Sequence, residues 1–219
     1  MKKQTAILRE PANHINLERL NALVDGVFAI TMTLLVLELR LPDSEAVNLS
    51  GALTAMLPRL YIYLIAFYSI ANHWVVHQRM FRHITEGDSI LVWLTMMSLL
   101  FITLIPASTA LVGRYPDEDL ALACFSANSF LQAMTSWIFW AYVVRNQKKL
   151  AAESEPRLLT ITSQVWLYIS IGWLFSILLS FVNPYLTYTS WILWPNLVAA
   201  WAAHRRRILF APKPQFKVL

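Results

Sequence analysis

The chain has 219 residues, 57% of them hydrophobic and only 14% charged, with nine Trp, eight Tyr and eleven Phe. Soluble domains carry about 25% charged residues and disordered chains are poor in aromatics, so both classes are excluded and a membrane protein is indicated. A single cysteine, Cys124, rules out an intrachain disulfide framework and a compact four-cysteine zinc site, and is expected to be a small buried hydrophobe.

A bilayer core requires about 20 mostly apolar residues per helix, so the stretches between charged residues mark the candidate spans. The segment before Arg19 is polar and proline-interrupted, unlike a signal peptide. The first span is predicted over 18–39, where Asp25 is the only charged interior residue. The second, 59–78, contains the charge-free run Leu60 to Gln78; the third and fourth, 89–113 and 120–144, are each 25 residues without a charge. A final run of 46 residues, Leu158 to Ala203, is too long for one span. Asn183-Pro184 lies near its middle, and the residue before a proline is pushed out of helix, so the run divides into 158–181 and 186–203. The expectation is an all-α polytopic membrane protein with one six-helix domain over 1–219.

With six spans both termini share one side. That side carries Lys2, Lys3, Arg9 and Arg19, then Arg79 and Arg82, then Arg145, Lys148, Lys149 and Arg157, and finally Arg205, Arg206, Arg207, Lys213 and Lys217. The opposite side carries only Arg40, Arg59 and Arg114. The positive-inside rule therefore places both termini in the cytoplasm. The same asymmetry explains the basic character of the chain, so nucleic acid is not an expected partner. The five glycines leave no carbonyl-lined filter loop and no phosphate-cradling loop.

In the first span Ile30, Thr33, Leu34 and Leu37 recur at i, i+3, i+4 and i+7, a stripe suited either to lining a pore or to packing between helices. Asp25 is costly inside a membrane and requires a partner or a cavity. Arg19, six residues away, is on a different face of an uninterrupted helix, so another span is the expected source. The second span runs back past Asp25 and ends in Asn72-His73-Trp74-Val75-Val76-His77, with His73 and His77 one turn apart on one face. Such a pair can ligate metal or haem, as in a membrane oxidoreductase, or form a hydrogen-bonded structural pair; with no further His or Cys at that depth, no metal or cofactor is expected. A proton-coupled transporter relaying through Asp25 and His73 or His77 is the competing functional reading.

The stretch Arg19-Leu-Asn-Ala-Leu-Val-Asp25-Gly-Val-Phe-Ala-Ile30-Thr-Met-Thr33-Leu-Leu-Val-Leu37, continuing to Pro42, resembles the first-helix signature of the transmembrane protein 175 family of endolysosomal potassium channels and their prokaryotic relatives. Trp74-Val-Val-His77 with Phe81-Arg82, then Leu99 to Tyr115 around Pro106, are similar to its second and third helices in order and spacing. The resemblance spans about residues 17–115. It implies a non-enzymatic, potassium-permeable channel in the plasma membrane of a prokaryote, in which a single-unit chain assembles as a homotetramer with the first helices around a four-fold axis. It also implies a constriction at Ile30 with flanking rings at Leu34 and Leu37, a selectivity hydroxyl at Thr33, and a polar network drawn from Arg19, Asp25, His73, Trp74 and His77. A ring of four isoleucines expels water and passes ions only when widened, and hydroxyl dipoles beside it support modest potassium preference. Leu23-Val24 replaces the family's Phe-Ser, removing one hydroxyl from that network. Thr95 and Ala107 also depart from its third-helix pattern.

Overall fold

A computed structural model describes residues 16–39 and 48–209. Lys2, Lys3, Arg9, Arg40, Lys213 and Lys217 of the charge count, and the end of the first-helix signature from Arg40 to Pro42, lie outside the described residues.

Every regular element in the described residues is helical. α1 spans Leu17–Leu35 and tightens into a 3-10 turn over Val36–Glu38. α2 is Leu49–Phe81, α3 Ser89–Thr103 and α4 Ile105–Arg114. α5 is Asp119–Arg145, α6 the single turn Gln147–Leu150, α7 Pro156–Ser180 and α8 Pro184–Leu209.

Local chemistry sets the ends. The side chains of Asn16, Asn48 and Asp88 accept hydrogen bonds from the N–H groups of Arg19, Gly51 and Leu91, satisfying orphan donors at the starts of α1, α2 and α3. Pro156 and Pro184 open α7 and α8, where a missing N–H costs nothing. The Asn183 Oδ1 atom accepts from the N–H groups of Tyr185 and Leu186 at 2.8 and 3.2 Å, closing the tight turn between α7 and α8.

Several boundaries differ from the sequence expectation, α8 among them, which runs on to Leu209 instead of ending at 203. α2 starts at Leu49, well ahead of residue 59, because Pro58 is accommodated inside the helix and Arg59 does not end it. Arg59 Nε instead donates to the Gly113 carbonyl at 3.3 Å. The third stretch breaks at Leu104, between α3 and α4, because Pro106 has no N–H for the carbonyl one turn back. Cys124 is exposed rather than buried. It sits on the outward side of α5, where its thiol behaves as a small hydrophobe.

α5 and α7 form the most intimate helix pair, with α8 against α7 and α3 against α5; α1 packs on α2, α3 and α4. Val24, Phe28 and Leu35 of α1, Ile62, Ala66 and Ile70 of α2, Leu91 and Ile102 of α3, and Phe125 and Ala133 of α5 are buried in one core. Four stretches, Leu17–Glu38, Leu49–Phe81, Ser89–Arg114 and Pro156–Ser180, are long and apolar enough to cross a membrane. α5 and α8, 27 and 26 residues long, match them in length but are more polar. In α5 much of that polarity points inward, since Ser126, Ser129, Gln132 and Ser136 are all buried.

Candidate functional site

α1 has two faces of opposite character. Leu20, Val24, Phe28, Thr31 and Leu35, spaced three or four apart, are buried against the neighbouring helices. On the other side Leu23, Ile30, Leu34 and Leu37 are 50%, 61%, 43% and 57% exposed, and a side chain at Gly26 would meet nothing within 4 Å. Thr33 is exposed on the same face. The apolar stripe read from the sequence is therefore the surface of α1 that this chain leaves open.

Thr33 also has a defined orientation. Its Oγ1 donates to the Ile30 carbonyl at 2.8 Å, so the hydroxyl proton is committed to the helix and the oxygen lone pairs remain for an outside group.

The polar network assembles behind that face. Trp74 Nε1 donates to Asp25 Oδ1 at 2.9 Å, and Gln78 Nε2 donates to the same oxygen. Asp25 is thus held by two uncharged N–H donors one turn apart on α2. Gln78 is absent from the sequence-based set, although its position four residues after Trp74 was the available signal. Arg19 is exposed in the first turn of α1, where its own N–H is capped by Asn16.

The two histidines share Phe28 but differ in their other neighbours. His73 lies between Phe28 and Trp166, with ring centroids 5.5 and 4.7 Å away, and Gln132 Nε2 on α5 donates to its Nδ1 at 2.7 Å. Gln132 Nε2 also reaches Ser136 Oγ at 3.1 Å. Gln132 was not foreseen, being 59 positions away in the chain. His77 lies between Phe28 and Phe81, at 6.4 and 4.9 Å. No group of three or more His, Cys, Asp or Glu able to hold a metal occurs among the described residues.

A separate polar knot joins α5, α7 and α8. Trp191 Nε1 donates to Ser176 Oγ at 2.8 Å and approaches Ser126 Oγ at 3.1 Å, and Ser190 Oγ donates to Ser176 Oγ at 3.1 Å. Gly172 lets the α8 indole of Trp194 lie directly on the α7 backbone, since a Cβ there would fall 1.9 Å from Trp194 Cδ1. These contacts brace the helices that flank α1's own bundle without reaching its open face.

The fold and this site define a helical membrane protein whose first helix offers an exposed apolar face and hangs on its neighbour through a buried-side carboxylate. Residues 19–106 match the family model described as endosomal/lysosomal potassium channel TMEM175. A potassium channel of Streptomyces collinus is 28% identical over 174 residues, covering 77% of this chain and 84% of the relative. The endosomal/lysosomal proton channel TMEM175 of Homo sapiens is 29% identical over 153 residues, 64% of this chain but only 30% of that protein. The crystal structure of a lysosomal potassium-selective channel TMEM175 homologue from Chamaesiphon minutus superposes with a TM-score of 0.73 at 24% identity, covering 85% of this chain and 97% of that one. Over residues 19–106 the chain is similar to the TMEM175 family. The family and these neighbours are ion channels and not enzymes.

Proposed function

We propose that the protein is a potassium-permeable cation channel of a prokaryotic plasma membrane, a homotetramer of single six-helix units with both termini cytoplasmic. The carrying observation is the open face of α1: a helix that buries one side in its own bundle and leaves Ile30, Leu34 and Leu37 outward has a second surface to place. Four copies around an axis give those side chains a common lumen. Bacterial relatives from Streptomyces collinus and Chamaesiphon minutus named as potassium channels support the choice of ion.

In this reading Ile30 forms the narrowest ring, with Leu34 and Leu37 extending it. Four isoleucine side chains on an axis exclude water from a short segment, and conduction follows widening of the ring. Thr33 presents hydroxyl oxygen beside that constriction and confers a modest preference for potassium over sodium. The Asp25, Trp74 and Gln78 contact fixes the rotation of α1 relative to α2, so that the apolar stripe faces the lumen.

The test is potassium and sodium efflux from liposomes containing the purified protein, without a pH gradient. Downhill flux faster for potassium is the expected result, and Ile30→Asn should raise it because a polar ring retains water. Unchanged flux in Ile30→Asn removes Ile30 from the constriction.

A second reading is a proton pathway, favoured by the vertebrate relatives named as proton channels and by the carboxylate of Asp25 behind α1. In a proton-coupled transporter Asp25 would act with His73 or His77. Uphill potassium movement driven by a pH gradient selects that reading over the passive channel.

A further inference from the structure

Two residues that line one cavity each carry a buried polar atom with no hydrogen-bond partner: Nε2 of His77 on α2 and Nε1 of Trp166 on α7. The cavity, of about 30 Å³, lies behind α1, where Val24 and Phe28 wall it off from the open stripe. Thr95, Ser98 and Ser136 also line it.

Buried donors without partners are rare in folded proteins, and an indole N–H can only donate. A water needs roughly 10–15 Å³ of such space and commonly makes about three hydrogen bonds. The hydroxyls nearby can serve it: Thr95 Oγ1 donates to the Leu91 carbonyl at 2.8 Å, and Ser136 Oγ donates to the Gln132 carbonyl at 3.1 Å while accepting from Gln132 Nε2 at 3.1 Å, which leaves at least one lone pair on each oxygen. His73 makes the comparison sharp. One turn from His77 on the same helix, it has its partner in Gln132, whereas His77 Nε2 and Trp166 Nε1 have none, and both residues line this cavity.

We propose that this cavity is a water-binding site, in which resident water accepts from Trp166 Nε1, bonds to His77 Nε2 and completes its coordination on the Thr95 and Ser136 hydroxyls. The water joins α2 to α7 across the buried side of α1. Because Val24 and Phe28 stand between it and the exposed stripe, the site is independent of which ion the protein passes.

Full-length protein in lipid bilayers, labelled with 15N at tryptophan and histidine, provides the test by proton-detected solid-state NMR. Signals are assigned by their disappearance in Trp166→Phe and His77→Gln. The expected result is transfer from water protons to both the Trp166 indole N–H and the His77 imidazole of the unsubstituted protein. Absence of transfer at either residue overturns the proposal. So does xenon uptake under pressure that shifts the Trp166 indole and His77 imidazole resonances, because a dry cavity accepts xenon and a hydrated one does not.

Discussion

The indole of Trp74 on α2 donates to the carboxylate of Asp25 on α1 at 2.9 Å, linking two residues 49 positions apart and tying the first helix to the second. Hydrogen bonds to charged groups contribute about 1.5–3 kcal/mol, more than neutral ones. Trp74→Phe keeps the aromatic bulk and deletes the donor, leaving Asp25 with Gln78 alone. It should lower the thermal stability of the purified protein by a few degrees, and a Trp74→Phe, Gln78→Leu double variant should lose more than the two single losses combined. Additive losses would show that the two donors do not share one acceptor in solution.

Thr33 carries the selectivity role in the proposed channel. Thr33→Val preserves shape and removes the oxygen that the Ile30 carbonyl leaves available. The reversal potential in mixed potassium and sodium should move towards the value of a non-selective pore, with total conductance reduced by less than about tenfold, since a threonine-to-valine exchange leaves the apolar ring at Ile30 in place. An unmoved reversal potential removes Thr33 from ion discrimination.

Gly172→Ala should loosen the α7 and α8 pair. The new methyl would fall 1.9 Å from Trp194 Cδ1, and the indole that must move is held by its Nε1 donating to the Tyr168 carbonyl at 2.7 Å. Overpacking of this kind costs about 1–3 kcal/mol. Trp194→Leu made together with Gly172→Ala should recover part of the loss, which thermal unfolding of the single and double variants measures.

Asp88 makes the junction of α3 with α5 and α6 pH-dependent. Partial burial raises its pKa, but hydrogen bonds from Lys149, Tyr142 and the Leu91 N–H, with the Lys149 charge, outweigh this and hold the carboxyl below its ordinary value of 3.8. A depressed folded pKa means that the carboxylate's stabilisation is complete above the unfolded value and is lost as pH falls through the folded one. Stability should therefore decline below about pH 4 more steeply in the parent protein than in Asp88→Asn. The variant should be less stable at neutral pH, as followed by helical circular dichroism against temperature.

Length, charge-free runs and the Asn183-Pro184 break were enough to place most of the helical stretches, because a charge or a pre-proline residue is costly inside a membrane helix, although α2 runs through both Pro58 and Arg59. The outward stripe of α1 was equally legible: helical periodicity alone puts Ile30, Thr33, Leu34 and Leu37 on one side. Nothing in that periodicity distinguished a packed side from an open one.

Tertiary structure decided the partners. Gln78 joins Trp74 on Asp25, Gln132 takes His73, and His77 is left facing a cavity with Trp166. α2 continues back to Leu49 through Pro58, and Cys124 turns outward. In a chain where most helices are apolar all round, hydrophobic pattern does not encode which faces meet, so rotation and neighbour order are set by packing and by pairing of scattered polar groups. Those pairings join residues 49 to 59 positions apart, and only the assembled bundle brings them within bonding distance.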